Sequence, residues 1–275
     1  AALEHMNDIE FERVRSYAAR THALDLSAKR ILLECRLSRE RQRFGAASFS
    51  AYFDLVERGD NPEAQARFVD LITTHYTHFM RESSQFAFLT ETAFPELERR
   101  RPDRTWNILC AGCSTGEECY TLAMLAEDFA VKRRTPPPVR ITGIDLSEPA
   151  LAQARRAGYP PAHVEKVPQR WLNAYFTYRD GEYFVTDALR NRVTFHRGSL
   201  DDPALLFRTY DLVLCRNVII YLEKDARERV IDLLQQHLAT QGYLLLGHAE
   251  IVRDNPCLAY RGNSIYQKHE RATAL

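Results

Sequence analysis

The stretch that decides the fold is WNILCAGCSTGEECYTLAM, residues 106–124. Its first residues are apolar and predict a short buried strand. Glycines follow at Gly112 and Gly116, and a pair of acids, Glu117 and Glu118, opens a helix. The order strand, glycine turn, helix lets backbone N–H groups approach an anionic or polar ligand closely. The stretch therefore predicts an α/β domain that binds a ligand at this turn.

A second predicted strand supports the same interpretation, because residues 141–145 read ITGID and end in Asp145. An acid at that position can accept hydrogen bonds from both hydroxyls of a ribose, as in nucleotide-binding βαβ units. Taken alone, the G-x-x-x-G turn is a weak signal, since a tight turn in any α/β domain would produce it. The turn lacks the spacing of a dinucleotide fingerprint and the lysine of a P-loop. The expected ligand is therefore a nucleoside without a pyrophosphate, and S-adenosylmethionine fits best.

The composition is that of an ordinary globular protein, with 275 residues of which 45% are hydrophobic and 27% charged. A chain of this length can form one large or two modest domains. The formal net charge is zero, so no global field attracts the protein to nucleic acid or to a membrane. No run approaches the roughly 20 apolar residues of a membrane span, and no secretory pattern is visible. We therefore expect a cytoplasmic monomer with no nucleic-acid partner and no membrane insertion.

The cysteines predict free thiols in a reducing compartment, because all six lie in separate apolar stretches. Cys110 and Cys113 do form a C-x-x-C pair. A zinc site needs a second matching pair, and Cys215 and Cys257 are isolated. We therefore expect no metal site.

Residues 7–82 predict a small domain of four short helices, after an opening AALEHM that resembles a tag remnant and is left out of the fold prediction. Ser48 suits the N-cap of the third helix, which should end near Gly59. Pro62 lies near the expected start of the fourth helix. The charged segment 83–105 predicts a linker helix.

Residues 106–275 alternate between short apolar runs and helical patterns, which is the rhythm of a mostly parallel sheet covered by helices on both faces. The predicted strands are 106–110, 139–144, 193–197, 210–215 and 242–247, and the predicted helices are 116–130, 147–157 and 223–239.

Four stretches depart from this rhythm. Residues 159–192 predict a β-hairpin inserted in a helical crossover, with its turn at Asp180 and Gly181. Residues 257–269 predict two further short strands. The proline-rich stretch 132–138 predicts a surface loop, and 270–275 should be frayed.

Polar residues follow two more of the predicted strands. The apolar run within 210–221 leads directly into Arg216 and Asn217, and then Tyr221. Unpaired buried polar groups are costly, so a bound ligand and substrate could supply their partners. A satisfied structural arginine is the alternative. Residues 199–201 follow the third strand, where an adenine would lie, but an ordinary turn is an equal interpretation.

Residues 74–82, THYTHFMRE, lie where the helical domain meets the sheet domain. Two histidines three apart could indicate a metal, but no carboxylate or cysteine is spaced to complete a site. A polar lip over the cofactor is the better interpretation.

The predicted helix 28–43 carries Lys29, Arg36, Arg39 and Arg43 on one face. A charge run is usually a solvated face. In a protein of zero net charge, a one-sided basic helix can instead dock an acidic partner.

Together these motifs resemble the chemotaxis-receptor glutamate methyltransferases (the CheR family). The resemblance rests on T-x-x-T-x-F-x-R-E, A-G-C-S-T-G-E-E-C-Y, the Asp145 strand, C-R-N-V-I-I-Y-L and G-H-A-E at 247–250. It implies a Rossmann-like S-adenosylmethionine-dependent methyltransferase sheet, an N-terminal all-helical domain that faces the substrate, and a small β-subdomain inserted at about 160–192. It also implies methyl esterification of glutamates on the acidic cytoplasmic helical bundle of chemoreceptors, with S-adenosylhomocysteine as the product.

The resemblance also implies residue roles. Arg81 and Tyr221 would be catalytic and lie near the transferring methyl, and the basic helix would face the receptor. The cofactor contacts would be His75, Thr77, Arg81, Glu117, Asp145, Ser199, Leu200, Arg216 and Asn217.

This chain departs from the family pattern at several positions. His75 stands where the family usually has Asn, Met80 where it has Phe, and Cys119 where it has Pro. Gly143 stands where an acid is common, and Ile251 follows G-H-A-E in place of the usual Asn or Ser. His keeps a donor, so we expect weaker or altered cofactor binding rather than none. The predicted hairpin is short and lacks the glycine-rich loop of members that grip a receptor's C-terminal pentapeptide, which predicts a tether-independent member.

Two other functions compete. One is a methyltransferase of the same fold that acts on a different protein or a small-molecule carboxylate, although the basic helix would be unnecessary for a small molecule. The other is a non-catalytic cofactor-binding or scaffold protein, suggested by His75 and Met80.

Overall fold

The computed structural model describes residues 5–102, 104–131 and 138–269. The chain starts with four helices, α1 (Asp8–His22), α2 (Arg30–Arg43), α3 (Phe49–Arg58) and α4 (Pro62–Ile72). The predicted caps are confirmed. Ser48 Oγ accepts a hydrogen bond from Ala51 N at 3.1 Å, and Gly59 ends α3 in the left-handed conformation.

The residues just before α1 belong to the fold, so leaving them out of the prediction was wrong. Met6 is buried, and its backbone N–H donates to Glu34 Oε1 at 3.0 Å. His5 Nδ1 lies 2.8 Å from Glu34 Oε2. These two residues therefore supply partners for a buried acid of α2.

The segment predicted as a linker helix is helical and packs against the sheet. It consists of α5 (Ser84–Phe88) and α6 (Phe94–Arg100), joined by a π-helical turn. Phe94 is fully buried, and its ring centroid lies 5.7 Å from that of Trp106. The segment therefore contributes apolar side chains to the core.

Ten strands follow: β1 (Trp106–Ala111), β2 (Val139–Asp145), β3 (Gly158–Tyr159), β4 (Phe176–Arg179), β5 (Glu182–Val185), β6 (Val193–Arg197), β7 (Tyr210–Cys215), β8 (Leu238–Leu246), β9 (Leu258–Tyr260) and β10 (Ile265–Lys268). The helices among them are α7 (Glu117–Val131), α8 (Glu148–Arg156), α9 (Pro161–Val164), α10 (Gln169–Tyr175), α11 (Asp187–Arg190) and α12 (Lys224–His237).

The main sheet has seven strands in the order β6-β2-β1-β7-β8-β10-β9. Its first five strands are parallel, and β10 is antiparallel to both of its neighbours. The mostly parallel sheet is therefore confirmed. The strand order reverses between β1 and β7, and such a switch point opens a crevice at the carboxyl ends of the strands.

The start of β8 differs from its prediction. The strand begins at Leu238 rather than 242, because α12 ends at His237 and Leu238 already pairs with Tyr210. An irregularity in the register then precedes the pairing of Leu212 with Tyr243. Helical periodicity alone does not show where such a transition lies.

The inserted hairpin is confirmed, with β4 and β5 joined at Asp180 and Gly181, both of which have positive φ. A third strand, β3, pairs with β5 and was not predicted. The resulting small sheet buries Trp171 and Phe176 in the core that also contains Trp106.

Side chains of β1 alternate between two cores. Ile108 and Cys110 belong to the core shared with α5, α6, α7 and the inserted sheet. Leu109 and Ala111 belong to the core shared with α12 and with α1–α4. The N-terminal helices therefore bury their apolar faces together with one face of the sheet.

A backbone connection joins the helical region to the sheet, and we call it the interdomain bridge (residues 23–25 and 221–223). Leu24 and Leu222 form an isolated antiparallel bridge. The backbone N–H of Asp25 donates to Tyr221 O, and that of Glu223 donates to Ala23 O, both at 2.9 Å. The peptide after α1 is thereby fixed against the peptide that carries Tyr221.

The proline-rich loop predicted at 132–138, except Pro138, and the frayed end predicted at 270–275 lie outside the described residues. No helix in the described part of the chain combines the length and apolar character that crossing a bilayer requires.

Candidate cofactor and substrate site

A cleft lies at the carboxyl ends of the parallel strands, beneath the N-terminal helices. Its empty volume is about 1070 Å³, including space open to solvent. Its walls come from the loops after four strands and from the helical region. The segments are 22–24, 72–78, 112–114, 145–146, 198–201, 216–218 and 221–222, with Arg81, Phe86, Glu118, Thr121 and Val230.

The glycine turn after β1 is held tightly, and its shape requires Gly112. This residue has φ +78°, and an added Cβ would lie 2.4 Å from Val218 Cγ2. The N–H groups of Gly112 and Cys113 donate to Ile144 O at 2.8 and 2.9 Å. The turn therefore lies directly against the end of β2.

Asp145 lies at that strand end, as predicted, and its carboxylate organises two loops. Oδ2 accepts from Ser114 N at 2.7 Å, and Oδ1 accepts from Ser147 N at 3.0 Å. Burial raises the pKa of Asp145, although these hydrogen bonds act in the opposite direction. A carboxylate has about four acceptor positions, so Asp145 can still accept from two hydroxyls.

His75 is anchored on one side and unsatisfied on the other. Its Nε2 lies 3.0 Å from Asp70 Oδ1 and 2.7 Å from Thr73 Oγ1, while its Nδ1 is buried without a partner among the described residues. Burial lowers the pKa of His75, but the hydrogen bond and charge of Asp70 outweigh it and leave the pKa raised. A protonated ring would present Nδ1–H as a donor.

Arg216 is the centre of a charged cluster at the switch point, and its side chain is only 1% exposed. It lies 2.9 Å from Glu118 Oε2 and 3.2 Å from Glu82 Oε2, and it donates to Arg81 O. Asn217 Nδ2 donates to Glu82 Oε1 at 3.2 Å. Burial raises the pKa of Glu118, and Arg216 opposes this. Two carboxylates thus share one guanidinium, which leaves acceptor capacity for a cationic ligand group.

Glu117, predicted as a cofactor contact, does not line the cleft. Its side chain is fully buried, where Oε2 accepts from Thr115 Oγ1 at 2.6 Å and Oε1 lies 2.8 Å from His163 Nδ1. Successive residues of a helix point about 100° apart, so Glu118 faces the cleft instead. Of this pair of acids, Glu118 is the one that lines the cleft.

Glu250 has a structural role that the motif G-H-A-E did not reveal. Its carboxylate is buried and accepts four backbone N–H groups, so it fixes the turn between β7 and Tyr221. Oε1 binds Val218 N at 2.8 Å and Ile220 N at 3.2 Å, and Oε2 binds Asn217 N at 2.8 Å and Gly247 N at 2.7 Å.

The two predicted catalytic residues both line the cleft. The Arg81 guanidinium lies 5.2 Å from the Tyr76 ring centroid and donates to Tyr76 O. Lys29 Nζ lies 4.7 Å from the Tyr221 ring centroid. The other predicted contacts that line the cleft are His75, Thr77, Asp145, Ser199, Leu200, Arg216 and Asn217.

Helix α2 turns its acids inward. Glu34 and Glu40 are buried, and Glu40 pairs with Arg67. Of the predicted substrate-facing residues, Arg43 pairs with Glu63 at 2.9 Å. The remaining three, which we call the positive rim, follow one another along α2, and the first of them lies beside Tyr221. They are Lys29, Arg36, which donates to Leu71 O, and the exposed Arg39.

Cysteine chemistry has little support here. Cys110, Cys113 and Cys119 are buried, and burial raises the pKa of Cys110 to about 11, so their thiols are protonated and unreactive. Within the described residues, no three His, Cys, Asp or Glu side chains are grouped to hold a metal ion.

The switch-point cleft, the glycine turn and the acid after β2 define a class: α/β proteins that bind a nucleoside-containing cofactor. The comparisons with known proteins identify the family. Residues 75–262 match the SAM-binding domain of the CheR methyltransferases, and residues 9–73 match their all-alpha domain. The chain belongs to the CheR methyltransferase family.

Two curated relatives illustrate the similarity. The chemotaxis protein methyltransferase of Borreliella burgdorferi is 30% identical over 94% of each chain. Chemotaxis protein methyltransferase 2 of Pseudomonas aeruginosa is 32% identical over 90% of this chain and 88% of its own. The solved structure of the glycopeptide N-methyltransferase MtfA with S-adenosyl-L-methionine covers 62% of this chain and 59% of its own at 18% identity, with a TM-score of 0.35.

The protein is an S-adenosylmethionine-dependent methyltransferase, and its cleft fits that cofactor. Ribose hydroxyls, an amino-acid group and a base all need hydrogen-bond partners. The cleft offers buried polar atoms that have none among the described residues, and unpaired buried atoms are costly. They are His22 Nε2, His75 Nδ1, Ser114 Oγ, Arg216 Nε and Asn217 Oδ1.

Proposed function

We propose that this enzyme methylates glutamate side chains on the acidic cytoplasmic helical bundle of chemoreceptors, acting as a monomer in the cytoplasm. The observation that carries the proposal is the start of the positive rim, where Lys29 Nζ lies 4.7 Å from the ring centroid of the cleft residue Tyr221. An acidic helix is complementary to such a rim. The names of the curated relatives, chemotaxis protein methyltransferases, support the same substrate.

The bound cofactor would supply an electrophilic methyl group on a sulfonium. A glutamate carboxylate is already a nucleophile at neutral pH, so the chain needs no general base. Its residues instead hold the carboxylate in line and exclude water, and orientation of this kind can be worth about 7–11 kcal/mol. Opposite charges are neutralised during transfer, so a dry site favours the transition state.

The position of each residue in the cleft suggests its role. Asp145 would accept the ribose hydroxyls, and Glu118 would accept the cofactor's ammonium in place of Glu117. Arg81 would pair with the cofactor's carboxylate or with the incoming glutamate. Tyr221 would hydrogen-bond that glutamate, with Lys29 against its ring.

We propose that binding needs no receptor tether. The turn between β4 and β5 consists of Asp180 and Gly181 alone, which leaves no long loop to hold a C-terminal peptide.

The test uses tritiated S-adenosylmethionine with receptor-bearing membranes. We expect base-labile label on the receptor band. Arg81→Ala and Tyr221→Phe should each lower turnover at least tenfold while leaving thermal stability within a few degrees, because both side chains lie at the cleft. Near-normal transfer by both variants would refute their roles. Label appearing only on an added small carboxylate would refute the receptor as substrate.

A further inference from the structure

His22 is a cleft residue that no sequence motif indicated. It is the last residue of α1, in the N-terminal helical region, yet it lines the cofactor cleft together with the loop 199–201 after β6. Its Nε2 is buried and has no hydrogen-bond partner among the described residues. A buried nitrogen without a partner costs free energy unless a ligand supplies one.

The protein groups around His22 are already engaged. Its ring contacts the Tyr17 ring edge to face, with centroids 5.8 Å apart. Asp201 accepts from Ser199 Oγ and lies 3.8 Å from Arg229. Arg197 Nε donates to Leu146 O at 3.4 Å. None of these groups satisfies the imidazole.

The surroundings of His22 favour the neutral form of its ring. Burial lowers the pKa of His22, the charge of Arg197 lowers it further, and Asp201 opposes them only in part. A neutral imidazole has one N–H donor and one acceptor nitrogen, and either can occupy Nε2. His22 can therefore pair with a donor or an acceptor, but it offers no charge to a carboxylate.

This part of the cleft suits a flat, neutral, heteroaromatic group. The cleft that His22 lines also has apolar side chains in its walls, namely Leu24, Leu146, Leu200, Leu222 and Val230. The charges that act on His22 are those of Arg197 and Asp201, whereas the carboxylates suited to an ammonium, Glu82 and Glu118, surround Arg216. The cofactor's adenine has an apolar face and an edge of alternating donors and acceptors, so it fits here better than its amino-acid end.

We propose that His22 hydrogen-bonds the edge of the cofactor's adenine through Nε2, so that the helical region takes part in recognising the base. His22 is then a specificity-determining residue of the methyltransferase. The helical region would contribute to cofactor binding as well as to substrate docking.

The test is calorimetric binding of S-adenosylhomocysteine and of analogues that each lack one polar group of the base: the 1-deaza, 3-deaza, 7-deaza and 6-deamino forms. The full chain is compared with His22→Phe, which keeps a flat ring without polar atoms, and with His22→Gln, whose terminal amide reaches about as far as Nε2. Tyr17→Phe is the matched control. It removes the hydroxyl of a residue that packs on His22 but keeps that residue's aromatic ring and leaves the imidazole in place.

We expect His22→Phe to weaken S-adenosylhomocysteine binding roughly 3- to 10-fold, the range of one net hydrogen bond. One analogue should bind the wild type more weakly than S-adenosylhomocysteine does, by a similar factor. This difference in affinity, the penalty of the analogue, should vanish in His22→Phe but persist in Tyr17→Phe. His22→Gln should recover part of the lost affinity. The proposal is overturned if every analogue keeps its penalty in His22→Phe, whether or not overall affinity falls, since His22 would then supply only shape.

Discussion

Replacing Glu250 with Gln should damage the site without touching any ligand. The carboxylate holds four backbone N–H groups, two on each oxygen. Gln keeps one acceptor oxygen, and its NH₂ should take the weaker Oε1 side, which has one bond of 2.8 Å and one of 3.2 Å. Hydrogen bonds to charged groups contribute about 1.5–3 kcal/mol each. Losing a good one and a long one should cost about 3–5 kcal/mol of unfolding free energy, much of a typical total of about 5–15 kcal/mol.

The assay is urea unfolding followed by circular dichroism, with calorimetric binding of S-adenosylhomocysteine on the folded protein. We expect a large drop in the urea midpoint. Affinity should fall at least tenfold, because the same turn carries Asn217 and Tyr221. Glu228→Gln, at an exposed position of α12, is the control and should change neither quantity. An unchanged midpoint and unchanged affinity in Glu250→Gln would show that the four hydrogen bonds do not fix this turn.

Two further predictions concern the walls of the cleft. The stability of the wild type should fall more with rising pH than that of His75→Asn. Asp70 leaves the pKa of His75 raised despite burial. The His75–Asp70 pair therefore contributes fully to the free energy of unfolding below the unfolded-state pKa of about 6.5, and this contribution is lost as pH rises through the folded-state pKa. Parallel curves of unfolding free energy against pH for the two proteins would exclude this. Gly112→Ala should destabilise by about 1–3 kcal/mol more than Gly181→Ala. Both glycines have φ near +80°, but an added Cβ meets Val218 Cγ2 at 2.4 Å in the first and nothing within 4 Å in the second; equal losses in urea would contradict the clash.

The sheet and the position of the cleft were predictable because local pattern determines them. Apolar runs, the turn at Gly112 and the acid at Asp145 are read within a few residues each. Parallel strands have their carboxyl ends at the same edge of the sheet. It can therefore be predicted from the sequence that residues following distant strands lie close together. The charged segment 83–105 was harder, because its buried Phe94 lies among charged residues that are exposed or half-buried.

The features that the sequence did not reveal have a common physical cause. The sequence shows two adjacent acids after the glycine turn, but helix phase decides that Glu118 and not Glu117 faces the cleft. His22 and Glu250 matter only through contacts with loops far away in the chain. Such contacts depend on how the helices sit on the sheet, which periodicity does not encode. The inserted β3 is two residues long and too short to produce a pattern.

The interdomain bridge determines which changes the two halves of the chain can tolerate. Its hydrogen bonds are made by main-chain amides and carbonyls at 23–25 and 221–223. Most substitutions there therefore leave these hydrogen bonds intact, whereas a proline would remove an N–H donor. Insertions or deletions on either side would shift one peptide past the other and displace Tyr221. Chimaeras between relatives should therefore succeed when loop lengths match at these two places, even where the amino acids differ.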